Sequence, residues 1–120
     1  MNKPDPLESL EADRDGATLQ PNSGRGRFSK GDALLDDFMV DYKHFTNGFT
    51  VNVSNLGKLD TDAQKAGGYD GVFKLIIDNK IRRWVVPEYV LPRYIRYKNM
   101  IDSLANTHPE LHKELHEQIR

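Results

Sequence analysis

The stretch from Val72 to Lys98, VFKLIIDNKIRRWVVPEYVLPRYIRYK, constrains this chain more than any other, because it holds the longest apolar run and most of the unbalanced positive charge. Two backbone periods compete for its first half. At the helical period Phe73, Ile76, Ile77, Ile81, Trp84 and Val85 share a face with only Lys80 among them, and Lys74, Asp78, Asn79, Arg82 and Arg83 lie opposite. Lys74 with Asp78 and Asp78 with Arg82 are then opposite charges one turn apart. At the strand period the same residues make a hairpin, VFKLII and KIRRWVV, turned at Asp78 and Asn79. The face count favours the helix, which Pro87 ends.

The flanks extend the helical reading. Ser29 followed by Asp32 has the form of a helix start, and Leu34, Leu35, Phe38, Met39, Tyr42 and Phe45 recur at helical spacing up to Asn47-Gly48. Phe49, Val51 and Val53 alternate with polar residues as a short strand, and Thr61 to Ala66 form a brief helix stopped by Gly67-Gly68. Ala63, this glycine pair and the apolar residues after it approximate a helix-turn-helix, but the apolar positions arrive about one residue early and Gly68 stands where an apolar residue packs. A further helix starts near Pro92 and ends around Asn106. Thr107 and Glu110 cap a last one with the stripe Leu111, Leu115 and Ile119.

Residues 1–28 hold three of the six prolines, many charges and few apolar side chains, a composition that does not repay the entropy of ordering. The expected fold is therefore mainly α: one domain of four to five helices over residues 29–120, with at most a minor β-strand or hairpin, behind a disordered N-terminal tail over 1–28. The tail's SGRGR (Ser23 to Arg27) reads as a solvated linker.

With no cysteine, the chain has no disulfide, thiol catalysis or cysteine-held metal. No signal-peptide-like or membrane-length apolar run occurs, so the expectation is a cytoplasmic protein with no membrane partner. A formal net charge of -1 hides segregation: residues 72–99 carry seven basic and two acidic side chains, and residues 31–71 three basic and seven acidic. Asp32, Asp36, Asp37 and Asp41 fall on one side of the expected first helix. They suggest a divalent cation, but without a loop of alternating oxygen ligands they read as a solvated acidic face or a dock for the basic centre.

In the basic centre, Lys80, Arg82, Arg83, Arg93, Arg96 and Lys98 interleave with Trp84, Tyr89, Tyr94 and Tyr97, the pattern of surfaces that pair cations with phosphates and rings with bases. These six cations are the expected contacts to DNA or RNA. His108, His112 and His116 recur every four residues, but a helical pair without a third donor is a weak metal site, so no metal and no other cofactor is expected. No nucleophile elbow, phosphate loop or catalytic constellation is present. The function expected is a non-enzymatic nucleic-acid-binding or regulatory protein; its rival is an interaction or assembly module, whose partner is another protein or a second copy of the chain.

Overall fold

The computed structural model describes residues 6–20 and 32–118. It divides the chain into two units, Met1–Pro87 and Glu88–Arg120. The first contains α1 (Pro6–Asp15), β1 (Thr18–Leu19), β2 (Ala33–Leu35), β3 (Phe38–Phe45), α2 (Val53–Gly67), β4 (Asp70–Ile77) and β5 (Ile81–Val85). The second contains α3 (Val90–Asp102), a 3-10 turn (Ser103–Ala105) and α4 (Pro109–Gln118).

The expectation of a mainly helical domain is overturned by a five-stranded mixed sheet in the order β1-β2-β3-β4-β5. Only β3 and β4 run parallel; the other neighbours are antiparallel. The parallel pair is joined by α2, as a parallel connection requires a crossover. The physical reason for the misreading is that the central strands are covered on both faces. Val40, Tyr42, Val72 and Ile76 pack with Ala12 of α1, while Met39 and Phe73 pack with Leu59, Ala63 and Ala66 of α2. A strand buried on both sides shows a continuous apolar run rather than alternation, and such a run satisfies a helical face count as readily as a strand.

The two expected helices at 29–47 and 72–86 are thus two strand pairs. Asp36-Asp37 turns the chain between β2 and β3, and Asp36 takes a positive φ of 52°. Asp78 and Asn79 turn it between β4 and β5 with φ of 53° and 55°, and the Lys80 amide donates to the Ile77 carbonyl at 3.1 Å. Positive φ at both central residues is the two-residue turn that matches strand twist, and Asp and Asn adopt it more readily than most residues. Ser29 and the SGRGR segment lie outside the described residues.

Residues 49–54 are not a strand. Asn52 caps α2: its side chain accepts from the Asn55 amide at 2.9 Å, and the Asn55 side chain accepts from the Asn52 amide at 3.0 Å. This reciprocal pair has the geometry of a capping box with asparagine in both roles. Gly68, left-handed at φ 78°, ends the helix, with its amide and that of Tyr69 donating to Gln64 and Ala63 at 3.1 Å. Within the expected tail over 1–28, the described residues 6–20 hold α1 and β1. Thr18 and Leu19 pair with Leu34 and Ala33, and Ala12 of α1 is buried. In the second unit, α3 and α4 occupy the places that Pro92 and the Thr107 cap indicated.

Candidate functional site

On the α2 face of the sheet, the β2–β3 register sets two acidic residues on adjacent stretches of backbone. Ala33 faces Val40 and Leu34 faces Met39, so one further step of this register sets Asp32 opposite Asp41. Asp32 is 3 % exposed. Lys43, two residues beyond Asp41 and therefore on the same face, holds its Nζ 3.3 Å from an Asp41 carboxylate oxygen. From α2, one turn apart, come Lys58 and Asp62, paired at 2.8 Å.

These groups feel one another. Burial pushes the Asp41 carboxyl above its ordinary value, Lys43 and Lys58 pull it back only in part, and the charge of Asp62 adds to the push. Lys58 is raised above its ordinary value, first by its hydrogen bond to Asp62 and further by the charges of Asp62, Asp41 and Asp32. Two ion pairs, Asp41 with Lys43 on β3 and Lys58 with Asp62 on α2, thus share this face with Asp32, which immediately precedes β2. Asp36 and Asp37, grouped with Asp32 and Asp41 on an expected helix face, sit instead on the exposed turn. The signal for the real grouping was the Asp-x-Lys step within FMVDYKHF, legible only once the segment is read as a strand.

The opposite face carries a different ionic cluster. Lys74, 3 % exposed, has its Nζ 2.7 Å from Asp15 and 2.9 Å from Glu11, both on α1, and 5.2 Å from the centre of the Trp84 ring. The Tyr42 hydroxyl donates to Asp15 at 3.1 Å, and burial first, then the Asp15 charge, pushes the phenol above its ordinary value. Arg82 donates to Glu11 at 2.7 Å from Nη2 and 3.0 Å from Nε. Chiefly through that guanidinium, and then Lys74, Glu11 is held down at about 2 against the opposing effect of burial. With every charge paired inside the fold, this cluster ties α1 to the sheet.

Of the expected phosphate contacts, Lys80, Arg82 and Arg83 belong to the first unit. Arg82 is spent on Glu11. Arg83 points to the α2 face: Leu75 pairs with Lys43 on one side and with Arg83 on the other, which puts Lys43 and Arg83 in one row across β3, β4 and β5. Lys80 is exposed at the turn, 3.7 Å from Asp78. Arg93, Arg96 and Lys98 belong to the second unit, with Arg93 over the Tyr89 ring at 4.4 Å and Lys98 3.7 Å from Asp102. Trp84, on the apolar face of the expected helix, is 41 % exposed on β5.

Comparison with protein-family models, curated proteins and solved structures returns no match. Among the described residues, no helix is long and apolar enough to cross a membrane.

Proposed function

We propose that this protein hydrolyses phosphodiester bonds in nucleic acid, with a divalent cation held by Asp32 and Asp41. The observation that supports this reading is the opposition of two carboxylates across adjacent strands, one of them buried, with Lys43 beside them. Mg2+ is ordinarily held by one or two carboxylates together with substrate phosphate oxygens, which fits this donor set. When bound, such an ion polarises a phosphoryl oxygen and acidifies a coordinated water.

The chain's own groups do the rest. Asp41 on β3 and Asp32 just before β2 supply hard oxygen donors, and the Lys43 ammonium offers charge to the phosphoryl oxygens where it builds up in the transition state. Arg83, in the Lys43 row, extends positive charge along the α2 face for the adjoining phosphates. In the net reaction the water oxygen bonds to phosphorus and one ester P–O bond breaks. The leaving oxygen takes one proton and solvent the other, giving a phosphomonoester and an alcohol. The lysines favour a phosphate substrate over a glycoside, which carries no charge for them to meet.

Nucleic acid thus stays the partner read from the sequence, as a substrate rather than as a passive ligand. Its test is incubation of the untagged full chain with end-labelled single-stranded, duplex and branched DNA and RNA in Mg2+ or Mn2+. Cleavage abolished by EDTA is expected; a folded protein that cuts none of these substrates removes the reading.

The assembly rival loses its acidic helix, since residues 33–45 hold β2 and β3. It retains one support, the exposed Tyr94, Ile95, Tyr97 and Met100 of α3, whose partner in that reading is a second copy of the chain. Sedimentation showing a strict monomer at every protein and salt concentration eliminates it.

A further inference from the structure

The sequence offers His112 and His116 one turn apart on α4 and no third donor. The second unit supplies one. Asp102, ten residues upstream at the end of α3, places its Oδ1 3.5 Å from His112 Nε2. The His112 and His116 rings lie side by side, with centres 5.8 Å apart and planes at 23°. One donor atom from each of the three residues falls within 4.8 Å of the others.

We propose that Asp102, His112 and His116 form a binding site for a transition-metal ion of the Zn2+ class. Donors about 2.0 to 2.1 Å from a tetrahedral zinc stand roughly 3.4 Å from one another, so the Asp102–His112 pair already has the required spacing and His116 needs only a side-chain adjustment. Two imidazoles and one carboxylate select zinc, nickel or copper over magnesium or calcium, which prefer all-oxygen sites. Three protein donors leave a fourth position for water or another ligand. His108 is not part of the set; its Nδ1 lies 3.0 Å from the Thr107 hydroxyl. Lys98, 3.7 Å from Asp102, is a cation neighbour with which the metal competes.

The site is distinct from the Asp32–Asp41 pair, and its test keeps the two apart. Untagged full-length protein carrying Asp41→Asn is titrated with Zn2+ by calorimetry and with Co2+ by visible absorption. One equivalent is expected to bind with micromolar or tighter affinity, and Co2+ to give the intense d–d bands of a tetrahedral site. His116→Gln, at an exposed position, should weaken binding at least thirtyfold, and Asp102→Asn about tenfold. No stoichiometric binding in the Asp41→Asn chain, or affinity unchanged when His112→Gln and His116→Gln are combined, overturns the proposal.

Discussion

Lys74 Nζ sits 2.7 Å from the Asp15 carboxylate although the two residues are 59 positions apart and the Lys74 side chain is almost wholly buried. The bond pins α1 to the middle of the sheet, and Glu11 and Tyr42 complete its surroundings. Breaking a buried ion pair from one side leaves an uncompensated charge, which costs about 3 to 5 kcal/mol. Lys74→Met should lower unfolding free energy by that amount in urea titration. A loss under about 1 kcal/mol contradicts the central place given to this pair.

The same cluster sets an acid limit. Because Glu11 titrates at about 2 in the folded protein against an ordinary 4.5, the unfolded chain takes up its proton first as pH falls. The stabilisation is fully present above about pH 4.5 and is lost progressively towards pH 2. It amounts to something on the order of 3 kcal/mol. Glu11→Gln should flatten the stability profile between these limits, measured by denaturant midpoints at a series of pH values; an unchanged profile argues against the assignment.

Gly71 faces Met39 on β3, and a Cβ there meets Leu59 Cγ at 2.6 Å and the Leu59 carbonyl oxygen at 3.1 Å. Close approach of α2 to β4 is what requires the glycine. Gly71→Ala overpacks this contact and should destabilise by about 1 to 3 kcal/mol. A thermal midpoint equal to that of the parent protein runs against such tight packing.

Arginine neighbours in the sequence have separate fates. Arg82 is tied to Glu11 on one sheet face, while Arg83 lies in the Lys43 row on the other. Arg83→Ala should weaken DNA or RNA binding and reduce the log-log salt slope by about one unit, with stability unchanged. Arg82→Ala should do the reverse. Equal effects of the two on affinity, measured by fluorescence anisotropy, contradict this division.

The second unit was legible because its signals are local: Pro92 falls in the first turn of α3, and Pro109 with Glu110 opens α4. The first unit was not, because its signals depend on cover from both sides. Lys74 looked like the polar side of a helix when it is a buried charge whose partners lie on α1, far along the chain. The segment around Ala12 was too polar to predict order, since Glu11 and Asp15 repay their burial through Lys74 and Arg82, and composition does not count that pairing. The hairpin at Asp78-Asn79 satisfies the strand period, but the helical face count outweighs it because both faces of β4 are apolar. With the strand reading of 38–45 went the site, as Asp41 and Lys43 share a face only at period 2, and Asp32 joins them only through the β2–β3 register.

The claim that Asp41 belongs to a metal-assisted phosphodiesterase is tested most directly by separating affinity from turnover in one variant. Asp41→Asn keeps the shape and removes the charge. Binding of labelled DNA or RNA by this variant without divalent ion should remain within about threefold of the parent. Single-turnover cleavage in Mg2+ should fall at least a hundredfold, about 2.7 kcal/mol in transition-state stabilisation. Cleavage by Asp41→Asn at the parental rate in Mg2+, with the fold intact, would contradict the assignment.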